Sequence, residues 1–255
     1  MIKTFYFDII DSTNTEAKRI LRSESNIVAK APFAVIANSQ TAGRGRQGKS
    51  FYSPADTGIY MSIALDMNSK ICNVDFITIK TAVAVYNAIK DVTGIDTHIK
   101  WVNDLYYKNR KVCGILAESV MVSTEKQNEN SIFSQNDANR FVIIGIGVNI
   151  STDYFPDDIK NIAGSLGRID CGSIKAELCN KIVENILANN ESRSSLLDKY
   201  KERSFVLGRE VTFYKNDVLY TGVAFDINDK GALMVRESNG NEHILQSGEI
   251  SLKTW

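Results

Sequence analysis

The chain has 255 residues, 44% of them hydrophobic and 24% charged, with 30 Lys and Arg against 30 Asp and Glu. That length allows one or two domains with a sizeable core, and a formal net charge of zero excludes binding of nucleic acid or anionic membrane through an overall field. Four cysteines without a CxxC pair and only two histidines, His98 and His243, argue against a zinc site and fit a reducing, cytoplasmic setting. MIKTFYFDIID is broken too early by Asp8 for a signal peptide, and no stretch reaches the roughly 20 apolar residues of a membrane span.

Residues 2–10 alternate as a strand. Thr13 and Glu16 then have capping-box spacing, which predicts a short helix turning Ala17, Ile20 and Leu21 inward. Ser12, Thr13 and Asn14 read either as helix caps or as small polar groups for a ligand head. PFAVIA (32–37) is a second strand. It delivers the chain into NSQTAGRGRQGKSFYSP (38–54), part of a stretch (25–55) that holds no carboxylate but does hold Lys30, Arg44, Arg46 and Lys49. Glycines let a backbone approach a ligand closely, and N–H groups flanked by guanidiniums make an anion cradle. A solvated hairpin tip is the alternative. The glycine spacing also matches a dinucleotide fingerprint, but that motif must open a helix. Here Pro54 and Gly58 intervene before the strand-like 58–65, so a Rossmann fold is rejected.

A helix starting at Asn73 or Asp75 and ending at Gly94 is predicted from Phe76, Ile79, Val83, Tyr86 and Ile89. THIKWVNDLYYKNRKVCGILAES (97–119) reads as strand, turn and strand with Lys108-Asn109-Arg110 at the tip. Asn103, Asp104 and Lys111 are either ordinary turn and hairpin residues or a carboxylate and ammonium brought together by two strands. Residues 122–140 are polar and aperiodic and read as an exposed excursion. FVIIGIGVNI (141–150) is a buried strand whose Gly145 and Gly147 share a face, against which a ligand or a neighbouring side chain lies flat. Ser173 opens a long helix through Ile174, Leu178, Ile182 and Ile186, followed by a helical piece at 194–201. From Phe205 onward, short strands at 208–211, 218–225, 232–236 and 243–245 alternate with Asn/Asp/Gly turns, which indicates a small β-barrel of about fifty residues. The domain boundary is placed at 204/205.

The loop SQTAGRGRQGKSFYSP, the hairpin KWVNDLYYKNRKVCGILAE, the strand GIGVNI and the lead-in DSTN, in that order, resemble a biotin protein ligase. LGREVTF and QSGEISL are similar to that family's C-terminal barrel, so the resemblance covers both domains. It implies an α+β fold: a mixed-sheet catalytic domain (1–204) like those of class II aminoacyl-tRNA synthetases and of biotin and lipoate ligases, then a small SH3-like β-barrel (205–255). It also implies a reaction. Biotin's carboxylate attacks the α-phosphate of ATP, Mg2+ accompanying the nucleotide and no metal being held by the protein. The biotinyl-5′-AMP so formed then acylates a lysine of a biotin carboxyl carrier protein domain.

By the same resemblance Ser12, Thr13, Asn14 and Gln40 match the positions around biotin's ureido ring. Arg44, Gly45 and Arg46 match loop contacts to biotin and the adenylate. Lys111 matches the lysine at the carboxylate–phosphate junction, and Asn103 and Asp104 match a pair near the adenylate and the incoming lysine. Gly114, Leu116, Gly145 and Gly147 would line the biotin slot, and Phe51 and Asn149 would meet the adenine. Lys111, Asp104 and Arg46 are the implied catalytic residues. The chain departs from the family pattern at Val102, where Pro is common, and at Phe51, where Trp is usual. Members that repress transcription carry an N-terminal helix-turn-helix domain. Here the ligand-binding lead-in starts at residue 11, so no DNA binding is expected; homodimer formation is left open. Two rival readings stand beside this one: a lipoate-protein ligase, whose substrate ends in a dithiolane, and a non-enzymatic module whose barrel engages nucleic acid.

Overall fold

The computed structural model describes residues 2–23, 31–69, 76–123, 138–188, 191–248 and 250–252. The main sheet contains β1 (Lys3–Ile10), β2 (Phe33–Gln40), β3 (Gly58–Asp66), β4 (His98–Lys100), β5 (Asp104–Tyr107), β6 (Arg110–Ser123) and β7 (Ala138–Asn149), in the order β1-β2-β3-β7-β6-β5-β4. β1 and β2 run parallel and the other neighbours antiparallel, so the sheet is mixed. The helices described are α1 (Thr13–Ser23), α2 (Ile77–Thr93), α3 (Cys171–Leu187) and α4 (Arg193–Arg203). No described helix is long and apolar enough to cross a membrane.

The two-residue period of the strands sorts their side chains onto two faces. Ala34, Ile36, Met61, Ile63, Val142, Ile144, Ile146 and Val148 meet α2 and α3 in the larger core. Phe33, Val35, Ala64, Val120, Val122, Phe141 and Ile143 lie opposite, against Ala17, Ile20 and Leu21 of α1. That second face continues along the same strands with a different chemistry. Ser62, Gly145 and Leu116 pair across β3, β7 and β6, and Tyr60, Gly147 and Gly114 form the next row. In these rows glycines on β7, and Gly114 on β6, stand where larger residues stand nearer α1.

The C-terminal sheet is wholly antiparallel, with β8 (Glu210–Lys215), β9 (Val218–Ile227), β10 (Leu233–Arg236), β11 (Glu242–Leu245) and β12 (Ile250–Leu252) in the order β11-β10-β9-β8-β12. Asn216 and Asp217, at φ 51° and 61°, make the tight turn between β8 and β9. This sheet is tied to the larger one: the Phe205 N–H donates to the Ile99 carbonyl at 3.2 Å, and Trp101 Nε1 donates to the Gly231 carbonyl at 3.0 Å.

The expected elements are present, with several local differences. The helix stripe at Phe76, Ile79, Val83, Tyr86 and Ile89 is buried, and Gly94, at φ 72°, ends the helix by donating to the Lys90 carbonyl. Its N-cap is Phe76; Asn73 and Asp75 lie outside the described residues. Helix α3 starts at Cys171 rather than Ser173 because Asp170 caps it, accepting from the Gly172 N–H at 3.1 Å. The helix at Thr13 forms without the capping box, Glu16 being paired with Arg19 at 2.9 Å. Of the excursion expected at 122–140, residues 122–123 belong to β6 and 138–140 to β7, while residues 124–137 lie outside the described set. β8 begins later than the 208–211 strand, after Gly208 turns the chain at φ 78°, and β12 is additional.

Tyr200 joins these layers. It is fully buried on α4 and donates to the Val102 carbonyl at 3.1 Å. Tyr200→Phe should cost about 0.5–1.5 kcal/mol in urea unfolding, whereas Ile182→Ala, in the centre of the main core, should cost about 2–5 kcal/mol. Equal losses would mean that the Tyr200 hydrogen bond carries far more than such a bond usually does.

Candidate active site

A cavity of about 430 Å³ opens over the glycine rows of the main sheet. Its lining brings together Ser12, Thr13 and Asn14 from the start of α1, Gln40, Arg44, Gly45, Arg46 and Phe51 from the end of β2 and the glycine loop, and Asn103, Asp104, Lys111, Gly114, Leu116, Gly145 and Gly147 from β5–β7 and the turn before β5. Of the residues singled out in the sequence, Asn149 does not line it. Asn149 is buried, and its Nδ2 donates to the Gly164 carbonyl at 3.0 Å, behind the wall formed by Ile159, Ile162 and Ala163.

The glycines explain how side chains reach the floor. A Cβ on Gly145 would sit 2.2 Å from Asn14 Oδ1, and one on Gly147 would sit 2.4 Å from the Phe51 ring. The groups lying flat on the strand are thus neighbouring side chains, Asn14 on one row and Phe51 on the next. Lys111 crosses Gly114 in the same manner, with Nζ 3.2 Å from where a Cβ would stand. Its ammonium pairs with Asp104 Oδ1 at 2.8 Å, so the carboxylate and ammonium of the hairpin do converge.

The loop closes on itself as a small hairpin. The Phe51 N–H donates to the Gly43 carbonyl at 2.9 Å, Gly45 N–H to Lys49 O at 2.7 Å, and Lys49 N–H to Arg46 O at 3.0 Å. These three amides are taken up within the hairpin. The charge of the site includes side chains: among the described residues Arg44, Arg46, Lys49, Lys100 and Lys111 line the cavity against one carboxylate, Asp104. Arg46 Nη1 donates to Asn103 Oδ1 at 3.1 Å, and Asn103 Nδ2 donates to the Ile115 carbonyl at 2.8 Å, so Asn103 orients the arginine instead of making an Asx turn. Arg44 meets Glu118 Oε1 at 3.3 Å. The carboxylate-free stretch acquires its acidic partner from a strand far away in sequence.

At the α1 end the site is polar and uncharged along its lining. Gln40 Oε1 accepts from the Thr13 N–H at 2.8 Å and lies 3.2 Å from the Thr13 hydroxyl, while Gln40 Nε2 donates to Ser53 Oγ at 2.8 Å. Ser62 Oγ lies 2.6 Å from Asn14 Oδ1 and 2.8 Å from Thr13 Oγ1. Asn14 Nδ2 donates to Glu118 Oε2 at 2.8 Å, and Lys18 Nζ to Glu118 Oε1 at 2.8 Å. Burial would raise the Glu118 carboxyl, but the hydrogen bonds from Lys18 and Asn14, with the charges of Lys18 and Arg44, overcome it and hold the group below its ordinary value. Burial likewise pushes Tyr60 up to about 12; its hydroxyl donates to the Pro54 carbonyl at 2.8 Å and anchors the returning leg of the loop.

Glu118 and Ser62 were not among the expected site residues. The signal for Glu118 was a lone acid in the apolar run VCGILAES, since a charge in a central strand needs partners. Gly248, Ile250 and Ser251, which bring the C-terminal sheet to the cavity wall, had no comparable signal.

The close approach at Gly147 yields a test. Gly147→Ala should destabilise by about 1–3 kcal/mol through overpacking against Phe51. In a Phe51→Ala background the same substitution should cost much less; an equal cost in both backgrounds would place the clash elsewhere.

Comparison with known proteins agrees with this geometry. Residues 6–136 match the model of the Biotin/lipoate A/B protein ligase family, and residues 206–253 match the Biotin protein ligase C terminal domain. The bifunctional ligase/repressor BirA of Bacillus spizizenii is 31% identical over 258 residues, covering 97% of this chain and 73% of that protein. The biotin--[acetyl-CoA-carboxylase] ligase of Mycobacterium tuberculosis is 26% identical, covering 95% and 87%. Among solved structures, the biotin protein ligase from Aquifex aeolicus in complex with biotin and ATP superposes with a TM-score of 0.75 at 25% identity, covering 99% of each chain. The chain belongs to the biotin/lipoate A/B protein ligase family and carries the C terminal domain of biotin protein ligases.

Proposed function

We infer that this protein is an ATP-dependent biotin protein ligase, which activates biotin as biotinyl-5′-AMP and transfers the biotinyl group to a lysine of a biotin carboxyl carrier protein domain. The observation that carries this reading is the order of chemistries along the cavity. Neutral amides and hydroxyls (Thr13, Asn14, Gln40) stand at one row, bare backbone and Leu116 form the floor, and Lys111 and Arg46 stand beyond. A small ring rich in N–H and C=O, a thin apolar chain and an anionic tail fit that order. A dithiolane has no N–H to offer the first row, which disfavours a lipoate ligase.

In the first half-reaction a carboxylate oxygen of biotin forms a bond to the α-phosphorus of ATP, and the bond to the bridging oxygen breaks, releasing pyrophosphate. Negative charge accumulates at the junction. Lys111, held by Asp104, and Arg46, held by Asn103, are suited to offset it from fixed positions. Among the described residues no three His, Cys, Asp or Glu side chains come together as a metal cage, and Mg2+ is assigned to the nucleotide as part of the ATP substrate. Phe51 offers a ring face to the adenylate, and Asn149 supports the Gly164 wall on the nucleotide side. In the second half-reaction the acceptor amine attacks the acyl carbon, AMP leaves, and the amine loses a proton. Asp104, a carboxylate on the cavity lining, is suited to orient that amine.

Single-turnover assays of the two half-reactions test the assignment. Lys111→Ala should slow adenylate formation on the order of 100-fold, as loss of an electrostatic stabiliser does, and Lys111→Arg should recover only part of it. Asp104→Ala should slow transfer from supplied biotinyl-5′-AMP more than it slows adenylate formation. Arg46→Ala should weaken retention of the adenylate by about 1.5–3 kcal/mol while affecting ATP binding less. Adenylate formation at the normal rate in Lys111→Ala would remove the basis of the mechanism.

A further inference from the structure

Asn14 is an amide whose two ends differ in hydrogen bonding, and its direction is set from behind. Its Nδ2 faces Glu118 Oε2 at 2.8 Å, and a carboxylate only accepts. A reversed amide would turn Oδ1 against that carboxylate, so Glu118 permits one orientation. Oδ1 then faces Ser62 Oγ at 2.6 Å and can only accept, which commits the Ser62 proton to it. The Thr13 hydroxyl, 2.8 Å from Ser62 Oγ, must in turn donate to Ser62, and Gln40 Oε1 takes the Thr13 N–H. One carboxylate therefore sets the direction of every donor along Thr13, Ser62 and Asn14.

Glu118 itself has little freedom. It lies at the row where the sheet face changes from the apolar Ala64 and Ile143 to the cavity floor, and Lys18 and Arg44 hold its other oxygen at 2.8 and 3.3 Å. Asn14 is pressed on Gly145, where no side chain could intervene. Glu118 does not line the cavity, so it acts on a ligand only through the groups it holds.

We propose that Glu118 is a positioning residue for substrate recognition: acting through Asn14 and with Ser62 as relay, it sets the donor and acceptor pattern by which the site takes a cyclic urea in preference to an apolar ring. This rests on the reading of the site as one for biotin. The carboxylate is suited to the task because it cannot donate, and because Lys18 and Arg44 keep it ionised where a lone buried acid would not stay charged.

The test is a double-mutant cycle on Glu118 and Asn14, read as KM for biotin, KM for ATP and unfolding midpoint. In the full-length protein Glu118→Ala should raise KM for biotin about tenfold or more, the loss expected for a hydrogen bond to a charged group, with KM for ATP changed less than about twofold. In an Asn14→Ala background the same substitution should change KM for biotin by less than about twofold, because the group it acts through is gone. Glu118→Gln, which keeps size and an acceptor but also adds a donor, should fall between wild type and Glu118→Ala, and it serves as the test variant should Glu118→Ala fail to fold. Equal rises in both KM values, the same effect in the Asn14→Ala background, or an unchanged KM for biotin would each overturn the proposal. Failure of the wild-type protein to use biotin would instead overturn the functional reading, so the two outcomes are distinguishable.

Discussion

The structure depends on a stretch of sheet where glycines at Gly114, Gly145 and Gly147 leave the backbone bare on one face. Across β3, β7 and β6 one face carries Ala64, Phe141, Ile143 and Val120 beneath α1, and further along the same strands it passes Glu118 to rows centred on Gly145 and Gly147, with Ser62, Leu116, Tyr60 and Gly114 beside them. The three glycine positions offer no side chain of their own to bury, and Leu116 is the apolar group beside them. Asn14 and Phe51 instead lie directly on backbone, closer than any Cβ would allow, and Lys111 packs tightly over Gly114. The same strands are therefore core at one end and binding surface at the other. The change happens without a break in hydrogen bonding, which keeps the floor rigid while loops form the walls.

Charge follows the same logic of supply from a distance. The glycine loop carries cations and no acid of its own, and left alone it would repel itself. Two strands resolve this separately. Glu118 on β6 meets Arg44, and Asn103, before β5, meets Arg46 through a neutral amide. One arginine is thus compensated in charge, while the other is oriented but left electrostatically available. A chain with no net charge can in this way present a cavity lined, among the described residues, by five cations and one carboxylate. The C-terminal sheet takes part too, because Trp101 and Gly231 fasten it beside the cavity and Gly248, Ile250 and Ser251 contribute to the wall.

Much of this was legible in the sequence, for identifiable reasons. Strongly periodic segments such as Phe76–Ile89 were clear because burial on one helix face constrains every third or fourth residue. The loop and hairpin stood out because glycines and like charges cluster there without a structural need. Contacts across long separations were not legible. The Arg44–Glu118 and Trp101–Gly231 contacts depend on which strands neighbour each other. Helix caps were misjudged by local pattern: Thr13 and Glu16 have capping-box spacing, yet the Thr13 hydroxyl is drawn to Ser62 and Gln40 by the tertiary fold. The hairpin bonding of the glycine loop was hidden for a related reason. The amides of Gly45, Lys49 and Phe51 satisfy one another within a hairpin, which the glycine pattern alone does not distinguish from a nest.

The central claim is that this cavity couples recognition of a cyclic urea at Asn14 to activation of its distant carboxylate at Lys111. Pyrophosphate release from ATP, measured with biotin, with lipoate and with neither, tests it most directly. The account predicts release that depends on biotin, with lipoate close to the level without either acid. Release driven by lipoate in preference to biotin, or release independent of both, would contradict it.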